Sequence, residues 1–321
     1  MNPDVAKAVP EMVESGILEK EKASTLLRIA RGELHSIQAE IRLLFYLGVL
    51  SCTAGAGLLI GENYKQIGPL AVALFVGLAA AVSFGLAIRR APRFSWGEVP
   101  SPSIAFDYLL LLGVLLGAAD LAFIEVQFAH LAAHWPWHLL ITSILMVCIA
   151  IRYDSRTVFS LALSTFAAWR GVSVSIIEVS LWRFSSEPLR WNAITCGLLF
   201  IFLGHYLLRA RRKPHFEPAA AYLGWMLVLG ALVYGGSESG AEGTTYIFVL
   251  LATSCLLAWH SFKQRRFPLF TIGVVAAFIA LFEIVLKWRL SFELAALATC
   301  LIAVGMIVVL WITHRTMRGS L

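Results

Sequence analysis

The sequence predicts an all-α integral membrane protein of about ten transmembrane helices with a small cytoplasmic N-terminal helical hairpin, and three observations carry that prediction. The chain is 59% hydrophobic and only 14% charged over 321 residues, with a mean hydropathy of +0.78, which is a membrane composition. Apolar runs of spanning length recur from residue 44 to residue 313 with short polar breaks, and β-barrel alternation is absent. Lysine and arginine sort into alternate connections: 20 of the 26 fall on one side of the predicted membrane and Lys65, Arg170, Arg183, Arg190, Lys287 and Arg289 on the other. Because cytoplasmic segments retain positive charge, the split places both termini in the cytoplasm and requires an even number of helices.

The chain divides into a cytoplasmic helical hairpin over residues 1–40, a polytopic domain over 41–314 and a cytoplasmic tail over 315–321. In the hairpin, Val5, Val9, Met12 and Val13 share one helical face, Gly16 suits a C-cap, and Ala23, Leu26, Leu27 and Ala30 mark a second helix. The first forty residues lack the apolar core of a secretory signal peptide, so the first membrane helix serves as the insertion signal. The hairpin either packs on the membrane domain or the lipid surface, or docks a protein partner.

The predicted spans are 44–60, 67–88, 106–128, 137–151, 157–176, 192–208, 219–235, 245–262, 268–286 and 292–313. The fifth is the weakest: either it is short, or it continues to Ile176 with Arg170 snorkelling outward. VSVSIIEVSLWRF after it suits an external interfacial segment. Nine of the ten tryptophans fall near a predicted boundary and only Trp225 lies well inside a span, the pattern of an aromatic belt. The basic residues sit in short loops at helix ends rather than on one continuous face, so the pI near 9.2 reports topology and contact with anionic lipid, not nucleic-acid binding. Cys52, Cys148, Cys196, Cys255 and Cys300 all lie in apolar runs without metal-ligand spacing and read as inert core residues.

ESGILEKEKASTLL is similar to the N-terminal helical pair of domain-of-unknown-function family 2157, bacterial predicted membrane proteins. YLGVLSCTAGAGLLIGENYKQIGP and DYLLLLGVLLGAADLAFIEVQFAHLAAHW continue the resemblance, which covers roughly the first half of the chain. The resemblance implies a bacterial multi-pass membrane protein of unassigned function and brings no site residues with it.

The candidate chemistry is confined to a few polar groups. The stripe Gly48, Cys52, Gly55, Leu59, Glu62 maps without a gap onto Gly113, Gly117, Asp120, Ile124, Gln127, 65 residues later, which suggests a duplicated hairpin of the kind found in transporters. Gly113-x-x-x-Gly117 forms a small-residue face for close helix approach, and Asp120 lies on the same face one turn on, so it points into protein. It sits about 20 Å of helix from Asp107, at a depth where an ionisable group marks a functional site by default; the competing reading is a carboxyl that serves packing alone. Glu125 lies about 140° around the helix and about 7 Å nearer water. With Glu62, Glu178, Glu238 and Glu242 it reads as a solvated acidic rim, or as a vestibule that attracts cations. Glu283 has Lys287 at i+4, the spacing of a favourable helical pair.

His130 and His134 have i, i+4 spacing and His138 extends the series, but Trp135-Pro136-Trp137 interrupts it, no thiolate stands nearby, and no metal site is assigned. His205 reads as a histidine meeting a backbone carbonyl rather than a haem or proton ligand. No nucleophile motif, phosphate loop or cofactor fingerprint is present, so no catalytic residue and no cofactor are assigned. The Gly-rich GGSESGAEG over 235–243 reads as a flexible connection. The function expected from these residues is binding or transport of a small solute or ion through a polar cavity near Asp120, Gln127, Glu62 and Glu125, in a bacterial inner membrane. The competing class is a non-transporting scaffold or sensor that engages a partner through the hairpin.

Overall fold

The computed structural model describes residues 9, 12–15, 23, 38–128, 135–177, 186–238, 240–288 and 291–318. Two compact units, Met1–Gln66 and Ile67–Leu321, divide the chain. In the first, helix α1 (Gln38–Ile67) carries the short apolar stretch Leu43–Gly55. Most of the hairpin expected over residues 1–40 lies outside the described residues; Val9 and Ala23, both expected on its apolar faces, are buried.

The second unit is built from nine helices among the described residues: α2 (Pro69–Arg89), α3 (Ile104–Phe128), α4 (Trp135–Tyr153), α5 (Arg156–Ile177), α6 (Ser186–Arg209), α7 (Glu217–Gly236), α8 (Ala241–Lys263), α9 (Phe267–Lys287) and α10 (Phe292–Arg318). With α1, each coincides with one of the ten apolar segments expected from sequence. Seven of them, α2, α3 and α6 to α10, are long and apolar enough to cross a membrane. Trp137–Tyr153 of α4 is a shorter apolar helix. Helix α5 does continue to Ile177, but Arg156, Ser160, Ser164, Thr165 and Arg170 dilute its apolar content. Of these, Arg170 does not simply reach outward: its guanidinium donates to Asn192 Oδ1 of α6 at 2.5 Å.

Consecutive helices pack as antiparallel hairpins, α2 on α3, α4 on α5, α6 on α7 and α8 on α9. Each is closed at the end where the basic residues cluster. Three of the four connections use the same device: Asp154, Arg211 and Arg265 adopt left-handed φ values of 59°, 52° and 56°. The next residue in each case returns its N–H five positions back, Ser155 to Ala150 O, Arg212 to Leu207 O and Arg266 to Ser261 O, at 2.9–3.1 Å. This is a Schellman C-cap without the glycine that normally supplies it. The left-handed conformation costs a non-glycine residue about 1–2 kcal/mol, and the terminal carbonyls it satisfies, together with an arginine charge at the negative helix end, offset that cost.

Inside lipid, apolar side chains gain little from leaving one hydrocarbon surroundings for another, so helix association depends on close fit. The buried positions are accordingly rich in small residues, with Ala87, Ala150, Ala162, Ala220, Ala280 and Ser254 fully enclosed. Gly197 of α6 and Gly224 of α7 bring their backbones into contact: a Cβ on Gly197 would lie 2.6 Å from Gly224 O, and one on Gly224 would lie 2.7 Å from Gly197 O. Gly273 of α9 rests likewise against Ser254 and Ala258 of α8. Helix α10 buries little, and Leu294, Leu297, Leu301 and Val304 are all exposed along it.

The seam makes a prediction with a built-in control. Gly197→Ala forces α6 and α7 apart and is expected to cost about 1–3 kcal/mol, read as a lower thermal unfolding midpoint in detergent. Gly230→Ala on α7, where a Cβ meets nothing within 4 Å, is expected to leave stability unchanged or raise it by up to about 1 kcal/mol. Equal effects at the two positions contradict the seam.

Candidate functional site

Asp120 is positioned by the α2–α3 hairpin. The ring of Phe84 on α2 seats over the glycine face of α3: a Cβ on Gly113 would lie 3.2 Å from that ring and one on Gly117 would lie 3.8 Å from it. This large-into-small fit sets the rotation of α3 and turns its next turn towards α2. Asp120 therefore faces Gly77, where a Cβ would come within 2.8 Å of Oδ2. A larger residue here would push the carboxyl aside. Oδ1 is buried with no hydrogen-bond partner among the described residues.

Asp120 lines a groove of about 650 Å³ together with Leu70, Ala73, Leu74, Gly77, Leu78, Ala81 and Ile124. Apart from Asp120 every lining side chain is apolar. The groove opens along the flank of the hairpin, where Leu70, Leu74 and Leu78 are 63%, 66% and 64% exposed. It is not the polar cavity expected from sequence, but an apolar slot with one polar group.

The other expected residues do not join it. Glu125 belongs to a separate pair, its Oε2 lying 2.7 Å from Nδ1 of His138 on α4. His138 Nε2 stands 3.4 Å from Thr142 Oγ1, giving a carboxylate–imidazole–hydroxyl row that ties α3 to α4. His138 is 6% exposed and Glu125 28%, so Glu125 is less a solvated rim residue than half of a bridge. Gln127 is half-buried on α3 and does not line the groove. Glu62 lies on α1 in the other unit, with its side chain outside the described residues, as are Glu178, His130 and His134. Among the described residues no group of three or more His, Cys, Asp or Glu could hold a metal ion.

Two further polar clusters were not legible in the sequence. At the basic end, Asp154 Oδ1 lies 3.1 Å from Lys213 Nζ and 2.5 Å from His215 Nε2, an ion-pair cluster with all three side chains 5% exposed or less. Asp154 Oδ2 accepts the backbone N–H of Val99 at 2.5 Å. Lys213 also donates its Nζ to Gly97 O and its backbone N–H to Trp96 O. One carboxylate thus joins the connections α2–α3, α4–α5 and α6–α7. The signal lay in the exceptions: among strongly basic loops stand three acids, Glu98, Asp154 and Glu217, and each is paired, Glu98 with Arg156, Asp154 as above and Glu217 with Arg266.

At the opposite end, Arg190 of α6 pairs with Glu238 at 3.0 Å and stacks over Tyr246 of α8 at 4.9 Å. Lys287 donates to the carbonyl of Glu238 at 3.0 Å and forms no ion pair with Glu283 among the described residues, against the helical pairing its spacing suggested. The Gly-rich turn is accordingly clasped, not loose. A Cβ on Gly243 would lie 2.0 Å from Glu238 O, so only glycine lets the turn close.

Breaking one partner of a buried pair strands the other, whereas an exposed pair is replaced by water. Lys213→Met is therefore expected to cost about 3–5 kcal/mol of stability. Arg156→Gln, which removes a pair whose side chains are 58% and 59% exposed, is expected to cost less than about 1 kcal/mol. Thermal or denaturant unfolding of the two variants side by side checks the contrast.

No curated protein and no solved structure matches the chain. A family model does: residues 10–159, which take in α1 to α4 and with them Asp120, Glu125 and His138, match that of DUF2157, predicted membrane protein, the family resembled by the sequence motifs.

Proposed function

We propose that this protein binds a small solute or ion within the membrane, at the groove between α2 and α3, with Asp120 as the group that recognises it. The observation that carries this reading is the Asp120 carboxyl, which has no hydrogen-bond partner on Oδ1 among the described residues and is the one polar group lining an otherwise apolar groove. A carboxyl at this depth is costly unless something satisfies it. The contrast with Asp154, which has an ammonium, an imidazole and a backbone N–H within 3.1 Å, supports a ligand as the missing counter-group of Asp120. The groove's lining is apolar apart from Asp120, which favours binding there over conduction of a polar solute along it. Ten spanning helices, a bacterial inner membrane and cytoplasmic termini complete the reading, on the strength of the charge alternation.

Two experiments test it. In a Cys-free background, single cysteines at Ser237 and Gln264, both exposed, separate the two ends: Ser237→Cys is expected to react with an impermeant maleimide on intact cells and Gln264→Cys only after permeabilisation. Labelling at Gln264 from outside reverses the orientation. For the site, the unfolding midpoint of purified protein is measured against a panel of inorganic cations, short amines and anions. At least one cationic or hydrogen-bond-donating member is expected to raise the midpoint of the wild type, and Asp120→Asn and Asp120→Leu are expected to abolish the rise while folding normally. Retention of the full shift in both variants refutes the assignment of Asp120.

A further inference from the structure

Resting on the reading of Asp120 as a binding group, we infer that the ligand is an amphiphilic cation, a primary or secondary ammonium carrying an apolar chain, which enters the α2–α3 groove sideways from the lipid. The shape and chemistry of the slot both point to this class. An inorganic cation requires several oxygen ligands, yet Asp120 supplies the only polar side chain among Leu70, Ala73, Leu74, Gly77, Leu78, Ala81 and Ile124. A hydrophilic solute would strand its remaining polar groups against leucine. An anion meets a carboxyl and no donor. An ammonium with an alkyl chain leaves nothing unmatched: its N–H donors meet the Asp120 carboxyl, the charge-assisted bond being the stronger kind, and its chain covers the leucine row.

The volume fits. A groove of about 650 Å³ lies within the ordinary range of small-ligand sites, and a largely apolar lining with one or two placed polar groups is their usual make-up. The route follows from exposure: the groove opens at Leu70, Leu74 and Leu78 along the hairpin flank, whereas Asp120 lies about 20 Å of helix from the basic end. A ligand already dissolved in hydrocarbon reaches the slot without crossing water.

The test uses full-length protein in zwitterionic lipid nanodiscs and a photoactivatable dodecylamine bearing a diazirine near its chain end. Irradiation is expected to label peptides within 69–89 and 104–128. Unlabelled dodecylamine competes, and dodecanol and dodecanoate compete at least tenfold less well, the loss of one charge-assisted bond. Asp120→Asn reduces labelling about tenfold or more, and Ala81→Leu, which fills the slot from an exposed lining position without removing the charge, does the same; both variants are checked for an unchanged elution profile. Competition by the wild type's amine series, butylamine to dodecylamine, strengthens with chain length. If ammonium or methylamine stabilises the protein through Asp120 and longer chains add nothing, the site stands and the amphiphile is wrong. Should dodecanol protect as well as dodecylamine, the groove is a slot for lipid tails and the inference fails. Capture of another peptide of this chain by a photoreactive residue placed at Leu74 would show that protein fills the groove, and overturns it equally.

Discussion

The Asp154 carboxylate is the constraint around which the second unit is organised. Each helical hairpin satisfies its own backbone and needs nothing from its neighbours to exist. In lipid, moreover, apolar surface alone provides little force to hold one hairpin against the next. What relates three of them is a single buried anion at the basic end, reached by an ammonium and an imidazole from the α6–α7 connection and an N–H from the α2–α3 connection. A carboxylate removed from water tolerates few alternative partners, so the ends of these hairpins are held in one arrangement. Phe216, stacked on Phe159 at 4.5 Å beside His215, seals the cluster from below.

The opposite end is joined differently, through separate pairs: Glu125 with His138, Arg170 with Asn192, Arg190 with Glu238. The first two tie neighbouring elements, and the third gathers α6, the α7–α8 connection and, through the Glu238 carbonyl, Lys287 of α9, but no single carboxylate there takes two cations among the described residues. The contrast carries over to the two aspartates. Asp154 has an ammonium, an imidazole and a backbone N–H around it, and so has a structural explanation. Asp120 is held in place by the fit of Phe84 into Gly113 and Gly117, yet it forms no ion pair among the described residues. Burial alone would not separate the two; the charged neighbours do.

Much of this was legible in advance. Apolar run lengths located the helices α1 to α10 among the described residues, seven of them long and apolar enough to cross a membrane, and the alternation of lysine and arginine marked the end at which the hairpins close. The Gly113–Gly117 face and the inward direction of Asp120 followed from helical periodicity. Where expectation and structure part, the missing quantity is always a non-local neighbour. Glu125 read as rim because His138 is 13 residues away across a helix boundary, and Lys287 read as the partner of Glu283 because i+4 spacing is visible while the carbonyl of Glu238, 49 residues earlier, is not. The Gly-rich 235–243 read as loose because glycine permits freedom, whereas here it permits a close approach that no Cβ would allow. The left-handed caps at Asp154, Arg211 and Arg265 escaped notice because the usual glycine signal is absent.

By itself, then, the sequence determined the membrane class, the position of each helix, the basic and opposite ends and the face on which Asp120 stands, since each of these follows from local composition and a repeat of 3.6 residues. Only the tertiary structure decided which polar groups are satisfied. Asp154, Lys213 and His215 become one cluster only when three connections meet, and Asp120 becomes a candidate site only when Gly77 from another helix is opposite it and no donor is. A buried charge is defined by what surrounds it, and what surrounds it comes from elsewhere in the chain.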